Sequence, residues 1–368
     1  MILMNDFKAE PAELRTAMSN AAARVFASGW YVLGNELKAF EQRWAEACGA
    51  RHCLGVGNGM DAIELALRAL DIGPGAEVVT TPMTAFATVL AIVRAGATPV
   101  LADIDPDSGL LAPDSVRRCL TPRTRAVVLV HLYGHMRDMQ VWTELCSTAG
   151  IELIEDCAQA HLARWDGQGA GSIGTAGAYS FYPTKNLGAI GDGGALVTQS
   201  RELAERVGRL RNYGQGERYV HPEFGLNSRL DELQAALLTE RLQWLDAFTA
   251  RRRSIAGRYD DGIRNPRVRL LAPPRQPQSH VHHLYVLRCD ARADVANHLT
   301  ERGVQTLIHY PIPVHHQAPC VTLMRDPLGL SNAEAHAAEC LSIPCHPQMA
   351  DADIDSVIDA VNAYGTGA

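Results

Sequence analysis

Of the 34 basic residues in this sequence, only Lys8, Lys38 and Lys185 are lysines. Arginine stays protonated in proteins, whereas a lysine amine can lose its proton and attack a carbonyl. Lys185 lies in Ser180-Phe181-Tyr182-Pro183-Thr184-Lys185-Asn186-Leu187-Gly188, with Gly191-Asp192-Gly193-Gly194 close behind. A lysine retained in an arginine-rich background, inside a glycine-rich loop, is a candidate nucleophile. Ser180 at the start of that loop offers a hydroxyl for a phosphate.

Three further features fall where a strand gives way to a loop or helix. Gly55-Val56-Gly57-Asn58-Gly59-Met60-Asp61 joins a predicted strand to a predicted helix. Its glycines let the backbone approach an anion, and a helix start offers free N–H groups to phosphate; a plain tight turn is the competing reading. Ile154-Glu155-Asp156-Cys157-Ala158-Gln159 closes an apolar strand. A carboxylate there is either a helix cap or a partner for a pyridinium nitrogen, keeping the ring protonated as an electron sink. Gly225-Leu226-Asn227-Ser228-Arg229-Leu230-Asp231-Glu232 is a polar turn opening a long helix, where Asn227 or Ser228 could serve as an N-cap.

The elements that must position these residues alternate along the chain. After a helical segment over 13–27, strands are expected at 53–56, 77–81, 99–102, 126–131, 151–155, 178–182 and 195–198. Helices over 60–70, 86–95 and 139–149 lie between them. This alternation predicts an α/β fold with a mainly parallel central sheet and helices on both faces. A long helix over 230–259 leads to a strand (283–288), a helix (292–302) and a strand (304–309). The division expected is a large α/β domain over residues 1–245 and a small C-terminal α+β domain over 246–368. In open sheets of this kind ligands sit at the carboxyl ends of the strands, where the motifs lie.

Composition narrows the function. A formal charge of −7 argues against nucleic-acid binding, which needs a basic footprint. Nine scattered cysteines without a Cys-x-x-Cys fit reduced thiols in a cytoplasmic protein, and no metal site is expected. The N-terminal residues do not read as a signal peptide, and no apolar run is long enough for a membrane span. The Arg251-Arg252-Arg253 run reads as a solvated helix face. His161 reads as a packing histidine, and the histidines of 280–283 as the start of a strand.

Together the motifs resemble the DegT/StrS family, the fold-type-I nucleotide-sugar aminotransferases dependent on pyridoxal 5'-phosphate (PLP). Asp156-x-x-Gln159, with Lys185 29 residues after Asp156, is the most specific part. Gly57-Asn58-Gly59-Met60-Asp61, Asn227-Ser228-Arg229 and His309-Tyr310-Pro311-Ile312-Pro313-Val314-His315 extend the resemblance over nearly the whole chain. It implies that Lys185 carries PLP as an internal aldimine and shuttles the proton, with pyridoxamine 5'-phosphate as the intermediate cofactor form. Asp156 matches the partner of the ring nitrogen, and Gln159 the residue beside the phenolic oxygen. Ser180 and the Gly59–Met60 backbone match the phosphate cup. Asn227 matches a residue reaching the neighbouring subunit's phosphate, which implies a homodimer with active sites at the subunit interface. Tyr213, His309 and Tyr310 are placed near the substrate.

Two positions depart from the family pattern. Met60 stands where many relatives have Thr, so backbone N–H groups must serve there. Ala85 occupies the usual place of the ring-stacking aromatic, leaving Phe86 as the candidate from a shifted register. The implied reaction moves an amino group from L-glutamate to a nucleotide-linked keto-sugar, and the motifs look nearest to enzymes acting on C3 of dTDP-3-keto-6-deoxyhexoses. Amination at C4 or of a keto-cyclitol, and a non-enzymatic regulatory role, are the alternative readings. A sugar dehydratase is disfavoured, because relatives with that chemistry replace the lysine by histidine.

Overall fold

The computed structural model describes residues 1–365. In chain order its first part holds α1 (Ala12–Ser28), α2 (Asn35–Cys48), β1 (His52–Val56), α3 (Gly59–Ala69), β2 (Glu77–Thr80), α4 (Phe86–Arg94) and β3 (Thr98–Leu101). Then come α5 (Pro113–Cys119), β4 (Thr124–Val130), α6 (Met139–Ala149), β5 (Glu152–Asp156), the short hairpin β6 (Arg164–Trp165) and β7 (Gln168–Gly169), β8 (Ala176–Ser180) and β9 (Gly194–Thr198). α7 (Arg201–Leu210) and α8 (Glu232–Gly262) lead to β10 (Arg269–Leu270), β11 (Tyr285–Arg288), α9 (Arg292–Glu301), β12 (Met324–Arg325), α10 (Ser331–Glu339), β13 (Cys340–Ile343) and α11 (Asp351–Asn362).

Eight strands form one sheet in the order β1-β9-β8-β5-β4-β2-β3-β12. β9 alone runs against the direction of the other seven. A parallel sheet is covered on both faces, so its strands must be apolar on both sides of the pleat. The side chains obey this: Val79, Val127, Leu129 and Leu153 enter one core with residues of α2, α6 and α8. Their immediate neighbours Val78, Ala126, Val128 and Ile154 enter another with α3, α4 and α7. Adjacent residues of one strand thus serve opposite layers, and the central α/β architecture expected from the alternation is present.

A separate core gathers Ile255 and Tyr259 of α8 with residues of β11, α9, β13 and α11. The 31-residue α8 therefore packs its beginning against the large sheet and its end against the three-stranded sheet β10-β11-β13. Two segments cross between these parts. Ile2 bridges to Val304, and β12 pairs with the edge strand β3 of the large sheet.

Two expectations from the sequence are corrected. Residues 304–309 do not form a strand; Val304 and Leu307 make only isolated bridges, to Ile2 and Ser342. The run reaches the outer edge of β13, where Leu307 and Ser342 exchange backbone hydrogen bonds, but the pairing goes no further than that residue. Nor is Arg251-Arg252-Arg253 a solvated face. Arg252 is buried and its Nη1 donates to the carbonyls of Cys345, His282 and His283 at 2.6, 3.3 and 3.4 Å. Arg253 donates to the carbonyls of His280 and Gln278. Charged guanidinium groups satisfy carbonyls that no regular sheet partner reaches. His280 and His282, stacked with ring centroids 3.8 Å apart, are buried just before β11.

Candidate active site

The carboxyl ends of β1, β2, β4, β5 and β8 lie at one edge of the large sheet, and the chemistry-bearing residues follow them. β5 ends at Asp156, which is buried. Its Oδ2 accepts a hydrogen bond from the Thr88 hydroxyl at 2.8 Å, and Oδ1 accepts from the Ala158 N–H at 3.1 Å. Burial pushes the Asp156 carboxyl above its usual value, against the two donors and the charges of Lys185 and His131. Among the described residues no basic group forms an ion pair with it.

Directly before it on β5, Glu155 is fully buried and already saturated. It accepts from the N–H groups of Gly171, Ile173 and Gly174 and sits 2.9 Å from His131 Nε2. Burial opposes its charge, but His131 and these N–H groups outweigh burial and hold its carboxyl below the usual value. His131, Glu155 and Cys157 come together, yet Glu155 has no lone pair left for an ion.

Lys185 stands on the loop after β8. The loop is closed by Phe181 N–H to Gly193 O and Ala189 N–H to Phe181 O, both 2.7 Å. Phe181 anchors it in the core, edge-on to Phe40 and Trp44. Asn186 pins the far side through Val281 O and His283 Nδ1. The Lys185 amine is half-buried, and burial lowers its pKa to about 8 even though Asp156 pulls the other way. An amine so placed is partly unprotonated near neutrality, as a carbonyl nucleophile must be.

The glycine-rich turn after β1 brings the start of α3 against Ser180. Asn58 caps α3 by accepting from Asp61 N–H at 2.9 Å, leaving the N–H groups of Gly59 and Met60 outside the capping bond. A Cβ on Gly59 would lie 2.8 Å from Ser180 Cβ, so only glycine permits this approach. On the phosphate-cup role that the family resemblance implies for Gly59 and Ser180, Gly59→Ala is expected to weaken cofactor binding by roughly tenfold or more through displacement of one side of the cup. Cofactor dissociation from the holoenzyme, followed by its visible absorption, checks this.

Of the other predicted site residues, Gln159 and Tyr310 meet each other, whereas among the described residues Tyr213 and Asn227 make no hydrogen bond to Lys185, Asp156 or Ser180. Gln159 Oε1 accepts from Tyr133 N–H at 2.6 Å, and its Nε2 donates to Tyr310 Oη at 3.4 Å. Burial raises the Tyr310 phenol to about 12 and lowers His309 to about 4, so both are uncharged at neutral pH. His309 Nδ1 lies 2.9 Å from Ser342 Oγ. Phe86 opens α4 and is 39% exposed, in the same helical turn as Thr88. Asn227 is exposed, and its neighbour Ser228 ties the turn to the glycine loop through Gly57 N–H (2.9 Å) and Asp61 Oδ2 (2.7 Å). Tyr213 is 46% exposed with the Arg229 guanidinium 5.1 Å from its ring. His161 is buried against Trp44, Tyr179 and Phe181, the packing role expected of it.

Sequence reading missed Thr84, Thr88 and Tyr133. The two threonines, four apart at a helix start, carried a faint signal, since such residues share a face. Tyr133 contributes through its backbone N–H, which leaves no mark on residue type.

The carboxyl edge of the parallel sheet thus gathers a lysine of lowered pKa, a buried carboxylate without an ion pair and a glycine-cradled helix start. A model of the DegT/DnrJ/EryC1/StrS aminotransferase family matches residues 13–362. The chain is 46% identical over 363 residues to dTDP-3-amino-3,4,6-trideoxy-alpha-D-glucose transaminase of Streptomyces venezuelae, covering 98% of this chain and 95% of that protein. It is 43% identical over 365 residues to dTDP-3-amino-3,6-dideoxy-alpha-D-galactopyranose transaminase of Aneurinibacillus thermoaerophilus, covering 99% and 100%. The crystal structure of S. venezuelae DesV in complex with a ketimine intermediate superposes with a TM-score of 0.94 at 44% identity, covering 98% and 97%. The chain therefore belongs to the DegT/DnrJ/EryC1/StrS family and is an aminotransferase that uses pyridoxal 5'-phosphate. The donor set fits that cofactor: a reactive amine, an anion cup, and a buried carboxylate whose missing cationic partner a protonated ring nitrogen would supply.

Proposed function

We propose that this aminotransferase transfers the amino group of L-glutamate to a nucleotide-linked keto-sugar, specifically a dTDP-3-keto-6-deoxyhexose. The observation that carries the substrate is the full-length similarity to two transaminases named for dTDP-linked 3-amino sugars. When bound, the cofactor supplies an electron sink for amino-group transfer. Lys185 would hold it through its amine and would serve as the base that carries the proton. Asp156 keeps the ring nitrogen protonated, and Gln159 stands beside the phenolic oxygen. Ser180 and the N–H groups of Gly59 and Met60 hold the phosphate, and Phe86 supplies the aromatic face.

Tyr213, His309 and Tyr310 are assigned to the sugar. The neutral states of His309 and Tyr310 support this, because an uncharged imidazole and a protonated phenol both donate to and accept from hydroxyls. Asn227 is assigned to the phosphate of the neighbouring subunit in a homodimer. Its exposed side chain makes no hydrogen bond among the described residues. Large exposed side chains such as Trp30, Tyr219 and Phe224 also suit a second copy of the chain. The separate core around Tyr259 supports a functional division into a cofactor-binding part, residues 1–245, and a small part, residues 246–368. A cytoplasmic location agrees with the absence, among the described residues, of any helix long and apolar enough to cross a membrane.

The test is a two-stage titration of the holoenzyme. L-Glutamate is expected to remove the visible absorption by converting the cofactor to its amine form. A dTDP-3-keto-6-deoxyhexose should restore it stoichiometrically. Restoration by a keto-cyclitol, with none by the keto-sugar, would reassign the substrate.

A further inference from the structure

Thr84 and Thr88 are both buried, before and within the first turn of α4. Their hydroxyl oxygens lie 2.8 Å apart, and Thr88 Oγ1 lies 2.8 Å from Asp156 Oδ2. Each hydroxyl has a single proton to give. While Asp156 is charged its oxygens only accept, so the Thr88 proton goes to Oδ2 and Thr88 must receive the proton of Thr84. Every donor in the chain then has an acceptor.

Protonation of Asp156 at Oδ2 reverses the chain. Oδ2 donates to Thr88, Thr88 donates to Thr84, and the Thr84 proton has no acceptor among the described residues. A buried hydroxyl donor without a partner is costly, whereas an acceptor left with a spare lone pair is tolerated. Protonation at Oδ1 instead leaves Oδ2 a neutral carbonyl oxygen, a weaker acceptor for Thr88 than a carboxylate oxygen, so on either route the chain favours the ionised form.

We infer that Thr84 and Thr88 form a one-way hydroxyl relay that holds Asp156 in its charged form, making both of them positioning residues for the cofactor's ring nitrogen. The inference rests on the assignment of Asp156 to that nitrogen. The relay opposes the burial that drives Asp156 towards neutrality. Lys185 after β8 and His131 at the end of β4 favour the charge as well, while Tyr310 is the titratable phenol that faces it from the small part. Of these partners, only the Thr88 hydroxyl bonds directly to Oδ2.

The experiment uses holoenzyme and the pH titration of its visible absorption. A protonated ring nitrogen disfavours a second positive charge on the Lys185 nitrogen bound to the same cofactor, so it lowers the midpoint of that titration. Thr88→Val keeps the shape and removes the donor. It is expected to raise the midpoint by about one pH unit, since a hydrogen bond to a charged group is worth roughly a tenfold change in equilibrium. Thr84→Val should shift it the same way but less, and Thr88→Ser should return it to the wild-type value. Thermal melting of each variant separates these shifts from loss of fold, and Thr84→Val carries the test if Thr88→Val does not fold. A Thr88→Val midpoint equal to wild type, with Asp156→Asn raising it, would overturn the relay and leave the Asp156 assignment standing. If Asp156→Asn also leaves the midpoint in place, the assignment falls and the relay with it.

Discussion

Lys185→Ala is expected to fold normally, to gain no visible chromophore with PLP, and to lose transamination by ~10³- to 10⁴-fold. The magnitude is that of a positioned proton-transfer group, and the lost covalent link adds to it. The loop that carries Lys185 is anchored by Phe181, Asn186 and its own backbone bonds, none of which involves the amine. Circular dichroism and melting should therefore match the wild type while turnover disappears. Lys185→Arg sharpens the test in this arginine-rich chain. It keeps length and charge but cannot shed the proton, so it should be as inactive as the alanine variant.

The pH dependence follows from the same amine. Its unprotonated form is the one able to attack an aldehyde, and that form dominates above its pKa. Because burial brings the pKa to about 8, cofactor uptake by apoenzyme should accelerate as pH rises through about 8 and then level off. A rate still rising towards the usual lysine value would show an amine in free solvent. Wild-type turnover by Lys185→Ala would remove the lysine from the mechanism altogether.

Much of this site was legible because its parts are local in sequence. Ser180 and Lys185 share one loop and Asp156 closes a strand, so residue type pointed to their chemistry, while the role of Gln159 came only from the family resemblance. The large sheet was legible for a similar reason: its strands are short apolar runs separated by helix-length segments. The small part was less so. Residues 304–309 are as apolar as a strand, but whether such a run pairs depends on neighbours distant in sequence, and only Leu307 meets the edge of β13, at Ser342. Arg252 illustrates the same limit. Its type and helical position suit solvent, and only the approach of carbonyls from residues 282, 283 and 345 makes it an interior tether. The Thr84–Thr88–Asp156 chain joins the start of α4 to the end of β5, a contact that only sheet order creates.

Asp156→Asn should lower kcat by ~10²- to 10³-fold, the scale on which removing one preorganised electrostatic group acts. The change keeps the side-chain shape but replaces a charge with a neutral amide. The argument turns on sign. Burial pushes the Asp156 carboxyl above its usual value, and a cation opposite it favours the charged form, as the Thr88 donor does. By reciprocity the carboxylate raises the proton affinity of a pyridine nitrogen placed there. Without the charge, a ring nitrogen held there would lose its proton and the cofactor would be a weaker electron sink, so proton transfer by Lys185 would slow.

Substrate KM should change much less than kcat, because Asp156 is assigned to the cofactor and not to the sugar. Asp156→Glu separates charge from placement. It restores the carboxylate on a longer stem, but Oδ2 already sits 2.8 Å from Thr88 Oγ1, leaving little room for the added methylene. Partial recovery of kcat in Asp156→Glu would give the charge the larger share. Activity no better than Asp156→Asn would show that the carboxylate works only from the position that the start of α4 and the end of β5 hold for it.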